Sequence, residues 1–117
     1  MRIYIAGGMR GYKWYNFPAF DEAEAKLKKQ GWETVNPAQI DRDNGFDPKD
    51  LPEDYDWSKE PIGMDVKAVI RRDLDALQNC HAIYLLRGWE KSIGARAEKA
   101  VAEWLGLEII YEELEKN

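Results

Sequence analysis

The chain of 117 residues predicts an α/β fold: three layers, with helices on both faces of a four-stranded, mainly parallel sheet. Three features carry that expectation. Short apolar or β-branched runs recur four times along the chain. Segments of helical period stand between most of them. Gly, Pro and Asn mark the changes from one to the other.

Arg2 to Ala6 is β-branched-rich and alternating, and reads as the first strand. Gly7-Gly8-Met9-Arg10-Gly11 follows as a loop that brings backbone close to something. Phe17, Phe20, Ala23 and Leu27 recur at helical spacing, with Pro18 near the helix start and Gly31 just past its end. Trp32 to Val35 is a short second strand, stopped by Asn36-Pro37. Residues 38–60 show no clear period and are rich in Asp, Pro, Asn and Gly. So long an irregular stretch is usually a lid or binding loop. The second helix is expected from about Pro61 to Asn79, the third strand over 82–86, the third helix over about 92–105, and the last strand from Leu107 to Tyr111, before a short acidic tail.

Alternating strands and helices imply right-handed crossovers between parallel strands, as in Rossmann/flavodoxin-like sheets, and one domain spanning 1–117. Ligands of such sheets sit outside the carboxyl ends of the strands. The loops after strands one, two and three all lie at that end.

Bulk composition narrows the function. The net charge of −5 disfavours a nucleic-acid polymer as partner, since phosphate contacts need clustered Lys and Arg. A small phosphorylated ligand remains compatible, because one loop can bind it. A single cysteine, Cys80, rules out an internal disulfide and fits a reducing compartment. The opening run is too short for a signal peptide and no segment approaches a membrane span. The expected location is cytoplasmic, with no membrane partner.

Ser92-Ile93-Gly94-Ala95-Arg96-Ala97-Glu98 is the most informative stretch. It follows an apolar strand and a turn, so Ser92 and the free N–H groups of the first helical turn can hold an anion. Glu98 lies within reach of whatever carries that anion, and Gly94, one turn earlier, leaves space above it. At 100° per residue, Ile93, Ala97, Ala100, Val101, Trp104 and Leu105 form the apolar stripe of this helix, with Glu98 on its shoulder and Lys99 facing away. A solvated surface glutamate fits the same pattern. On the second helix, Val66, Val69, Ile70, Leu74 and Leu77 form the stripe, and Asp73 falls near its middle. Burial there would raise its pKa, whereas capping a loop or pairing with an arginine would explain it structurally. Two carboxylates in different surroundings can divide nucleophile and acid roles, as in glycoside chemistry. Arg10 supplies a fixed charge for an anionic group. Trp32 and Trp104 are expected in the core, and Trp89 is placed to stack on a ligand base.

Taken together, Ile3-Tyr4-Ile5-Ala6-Gly7-Gly8-Met9-Arg10-Gly11, Tyr15-Asn16-Phe17-Pro18-Ala19-Phe20, Val35-Asn36-Pro37-Ala38, Arg72-Asp73-Leu74 and Gly88 to Glu98 resemble the nucleoside 2-deoxyribosyltransferase superfamily. The likeness is to its small phage-type members and to the 2-deoxynucleoside 5′-monophosphate N-glycosidases. It covers nearly the whole chain. The resemblance implies cleavage or transfer of an N-glycosidic bond, with Glu98 as nucleophile at C1′ and Asp73 protonating or orienting the departing base. It implies that Ser92, Arg10 and the loop backbone of Gly7, Gly8, Met9 and Gly11 hold the 5′ end, and that Asn16 and Phe17 border base or sugar. The implied partner is a nucleoside or nucleotide, with no cofactor and no metal, in a homo-oligomer. His81 and Arg96 depart from the family's usual residues. A non-catalytic nucleotide-binding or sequestering module is the alternative on the same scaffold.

Overall fold

The structure, a computed structural model, describes residues 1–61 and 63–112. Strands β1 (Arg2–Ala6), β2 (Glu33–Val35), β3 (Ala82–Leu85) and β4 (Glu108–Tyr111) form one sheet in the order β2-β1-β3-β4. All three pairings are parallel, with Tyr4 opposite both Val35 and Ile83, and Tyr84 opposite Ile110. β1 and β3 are central and apolar at nearly every position, as strands covered on both faces must be.

Alternation along these strands divides the core. Ile3, Ile5, Ala82 and Tyr84 face α1 (Phe17–Lys29) and pack on its Phe20, Ala23 and Leu27. Tyr4, Ala6, Ile83 and Leu85 face the opposite way, onto Leu77 of α3 (Val66–Gln78) and Ala102 of α4 (Ile93–Leu105). The chain leaves β1 outward for β2, then crosses back to β3. The crevice at that reversal, outside the carboxyl ends of β1 and β3, is the ligand position of such sheets.

Three expectations need correction. The stretch 38–60 is not irregular from its start: α2 (Pro37–Asp43) occupies its beginning, and Pro48–Asp50 form a further helical turn. Seven residues are too few to display a period. The second long helix begins at Val66 rather than Pro61, because the Asp65 carboxylate accepts from the Ala68 N–H at 3.2 Å and sets the start. Ile62, within the segment expected to be helical, and the acidic tail from residue 113 lie outside the described residues.

The third correction concerns α4. Its buried residues are Ala95 and Ala102, whereas Ile93 is 78% and Trp104 90% exposed, and Leu105 is also exposed. At 100° per residue, Ala95, Glu98 and Ala102 share a sector of about 60°, and Ile93, Ala97, Ala100 and Trp104 lie opposite. The helix has two apolar faces, and the one with small residues faces the sheet, where Ala permits close approach. Glu98 therefore points inward. Lys99 flanks that face, its Nζ 5.3 Å from the Trp89 ring centroid. On α3, Leu77 is buried, but Val66 and Ile70 are exposed.

Asn36 ties α2 to α1. It is buried, its Oδ1 accepts from the Ala38 N–H at 2.9 Å, and its Nδ2 donates to Asp21 Oδ1 at 3.1 Å. Asn36→Ala is expected to cost about 1–2 kcal/mol through loss of the cap and the buried bond, read as a lower midpoint in urea unfolding with unchanged slope.

Candidate functional site

A cavity of about 400 Å³ opens where β1 and β3 end, between α3 and α4. Asp73 and Glu98 both line it, one from each helix. So do Tyr4, Gly7, Met9, Arg10, Ser92 and Gly94. The inward turn of α4 accounts for Glu98, since the Ala neighbours on that face leave room for a longer side chain.

The Tyr4 hydroxyl donates to Glu98 Oε2 at 2.5 Å. Tyr4 lies wholly buried in the central strand. No hydrogen bond among the described residues engages Glu98 Oε1. Burial pushes the Glu98 carboxyl up to about 8, with the nearby Asp73 charge adding to the rise and the Tyr4 bond opposing it. Burial likewise raises Asp73 to about 6, against the pull of Arg72. The Tyr4 phenol is held well above its ordinary value by burial and then by the Glu98 and Asp73 charges.

Asp73 is also the terminus of an ion-pair chain. Arg72 donates from Nε to Asp73 Oδ1 at 3.0 Å, with Nη2 2.8 Å from the same oxygen. The same Nη2 donates to Asp41 Oδ1 at 2.7 Å. Asp41 belongs to α2 and is only 5% exposed. The arginine-pairing alternative for Asp73 thus holds together with its place in the cavity wall.

The glycine loop is sterically dictated. A Cβ on Gly7 would lie 2.7 Å from Leu86 Cδ1, and one on Gly8 would lie 2.7 Å from Tyr12 Cε1. At Gly94 the nearest atom to such a Cβ is Ser92 Oγ, 3.9 Å away, so the wall is open there. Ser92 caps α4, its Oγ accepting from the Ala95 N–H at 3.1 Å.

Other candidates stand elsewhere. Gly8 and Gly11 shape the loop without lining the cavity. Asn16 stands behind it, donating to the Gly8 carbonyl at 2.9 Å. Trp14, Tyr15 and Asn16 all have left-handed backbone, φ 56°, 50° and 64°. Each costs roughly 1–2 kcal/mol for a residue with a side chain. The segment is fastened by Tyr15, buried among aromatic rings, whose hydroxyl donates to the Lys59 carbonyl at 2.6 Å. Phe17 lines a second cavity of about 160 Å³ with Tyr15, Phe46 and Met64; the two cavities share Met9, Arg10, Val69, Ile70 and Asp73. Trp89 packs on Tyr111, with ring centroids 5.8 Å apart, and does not reach the cavity wall. His81 sits at the opposite end of β3, its Nδ1 accepting from the Arg2 N–H at 3.1 Å. Arg96 is exposed, with Nε 3.4 Å from the Ser92 carbonyl oxygen.

Sequence reasoning missed Tyr4, Arg72 and Asp41 as parts of this site. Tyr4 carried one signal: a tyrosine in a strand buried on both faces needs a partner for its hydroxyl.

A family model matches residues 1–111 of the chain. The protein belongs to that family, Domain of unknown function (DUF4406). No match was found among curated proteins. The matched span of this DUF4406 chain includes every residue of both cavities described above. Among the described residues, no helix is long and apolar enough to cross a membrane, and no group of three or more His, Cys, Asp or Glu side chains could hold a metal ion.

Glu98 sets a pH dependence of stability. Its folded pKa, about 8, lies above its ordinary value of 4.5. The stability it contributes is full below the ordinary value and is lost as pH rises through the folded one. Glu98→Gln should therefore raise stability more at pH 8.5 than at pH 5. The difference is expected to be at least about 1 kcal/mol, or roughly 4–8 °C in Tm, by thermal melts at both pH values.

Proposed function

We propose that the protein cleaves or transfers the N-glycosidic bond of a 2′-deoxynucleoside or its 5′-monophosphate, as the resemblance to the deoxyribosyltransferase superfamily implies. The observation that supports this reading best is the pair of withdrawn carboxyl groups, Glu98 and Asp73, facing one cavity from neighbouring helices. The cavity has the size of an ordinary small-molecule site.

In this reading Tyr4 holds Glu98 Oε2, and the unengaged Oε1 attacks C1′. The C1′–N bond breaks as protonated Asp73 gives its proton to the departing base. This leaves a glycosyl ester on Glu98 and a carboxylate on Asp73. Water then yields its proton to Asp73 while its oxygen takes C1′ from the ester, or a second base takes the water's place. Arg10, the Ser92 hydroxyl and the first N–H groups of α4 hold the 5′ group. The exposed Arg10–Glu60 pair at 2.7 Å exchanges readily for such an anion. The aromatic cavity beside Asp73 takes the base.

The reactive state has Glu98 ionised and Asp73 protonated, opposite to the order of their pKa values. That arrangement is about one hundredth as populated as its reverse, given a gap of about two pH units. Base release should follow a bell with apparent limbs near 6 and 8 that belong to the pair. Liquid chromatography of a panel of deoxynucleosides and monophosphates checks it. Glu98→Gln is expected to lower release at least about 10³-fold and Asp73→Asn about 10²-fold. Tyr4→Phe should move the upper limb upward. Release of no base from any member of the panel would defeat the reading.

We also propose a homo-oligomer, supported by the outward apolar face of α4 (Ile93, Trp104) and its continuation at Val66 and Ile70 of α3, all exposed in the single chain. Ile93 belongs to the cavity wall as well, so a second copy seated there would border the site. Sedimentation should give at least a dimer, and Trp104→Glu with Ile93→Asp should return it to monomer.

A further inference from the structure

Asp41 has no place in the reaction outlined above, yet its burial calls for an explanation. It is only 5% exposed, withdrawn from solvent as Glu98 and Asp73 are. It does not line the cavity that holds Glu98, but it does line the smaller cavity beside Asp73. What it contacts is Arg72, which in turn contacts Asp73.

The arrangement has a specific chemical consequence. A guanidinium with one carboxylate partner holds that carboxylate ionised, typically lowering its pKa by 1–3 units. An acid that must keep a proton cannot be positioned by such a partner. Here one guanidinium meets two carboxylates, and its Nη2 is shared between them, 2.7 Å from Asp41 Oδ1 and 2.8 Å from Asp73 Oδ1. Both of the contacts with Asp73 fall on Oδ1. Among the described residues no hydrogen bond engages Oδ2, which is left to carry a proton.

Resting on the glycosidic reading above, we propose that Asp41 is a positioning residue for Asp73: it takes up the charge of Arg72, so that Arg72 fixes where the Asp73 carboxyl points without holding it ionised. Asp73 thereby keeps a fixed acceptor edge toward Arg72 and a free, protonatable edge toward the ligand.

The charged and titratable groups facing Asp73 can be named by element. Arg72 lies on its own helix, Asp41 on α2, Glu98 on α4 and Tyr4 on β1. Arg10 shares both cavities with it, and Glu60, Tyr15 and Asp41 line the smaller one. Asp41 itself is raised by burial, opposed by Arg72. Of these groups, only Asp41 bonds the same guanidinium as Asp73.

The test follows the Asp73 carboxyl carbon by NMR titration in the intact protein, in wild type, Asp41→Asn and Asp41→Ser. Both variants remove the charge, and Asn keeps the shape. Asp73 is expected to titrate about one pH unit lower in each, as the whole charge of Arg72 falls on it. The acidic limb of base release should move down by the same amount, with a maximum about tenfold lower. In the double variant Asp41→Asn/Arg72→Gln, which lacks the cation, Asp73 should titrate higher than in wild type. An unchanged midpoint in folded Asp41→Asn or Asp41→Ser overturns the proposal, as does movement of single and double variants in the same direction. Failure of both single variants to fold also overturns it, because the charge would then serve the fold. The titration needs no turnover, so absence of base release defeats the glycosidic reading while leaving the midpoint shift to judge the relay.

Discussion

A carboxyl group placed among apolar side chains must be neutralised, paired or hydrogen-bonded. The helical layer over β1 and β3 contains two such groups, and each is accommodated differently. Glu98 is accommodated by a phenol rising from the middle of β1, a position that only a central strand can supply. Asp73 is accommodated by Arg72, whose charge is already engaged by Asp41. Burial raises both carboxyl groups above the ordinary carboxylate range, Glu98 to about 8 and Asp73 to about 6, and neither partner offsets it. The differences between their surroundings, one hydrogen bond in one case and a shared guanidinium in the other, separate the two groups.

The rest of the molecule serves that arrangement. Small residues on the inner face of α4 bring the helix close enough to the sheet for Glu98 to meet Tyr4. The same choice turns the large apolar residues Ile93 and Trp104 outward. The glycine loop leaves β1 so close to Leu86 and Tyr12 that no side chain fits at its first two positions. Three consecutive left-handed residues behind it are held by the aromatic cluster of Tyr15, Phe46, Tyr55 and Trp57, and they aim Asn16 at the loop carbonyl. Strain of that kind persists only where surrounding contacts over-determine it.

Much of the sheet and most helix boundaries were legible in the sequence because period 2 and period 3.6 patterns are local. Arg2 to Ala6, the Ser92 cap and the glycine past α1 needed no partner to be read. α2 escaped notice because seven polar-rich residues show no period and bury little beyond Pro37, Ala38 and Asp41. The stripe on α4 was misassigned for a different reason. Periodicity counts apolar residues, and on this helix the heavier apolar face is the outer one. Trp104, expected in the core, is accordingly in solvent in the single chain.

The candidate site divides along the same line. Asp73, Ser92, Gly94 and the glycine loop stood out from neighbouring residues alone, because a carboxylate on an apolar stripe, a hydroxyl at a helix start and clustered glycines are local signals, whereas Glu98 was singled out on the shoulder of a stripe that faces outward. Sequence by itself therefore determined the succession of strands and long helices, the end of the sheet outside which ligands of such folds sit, and the two acidic side chains worth attention. Only tertiary structure decided their surroundings. Tyr4 is 94 residues from Glu98, and Asp41 is 31 from Arg72. Desolvation and charge sharing depend on what surrounds a group in three dimensions, and no periodicity along the chain encodes which distant residue arrives there.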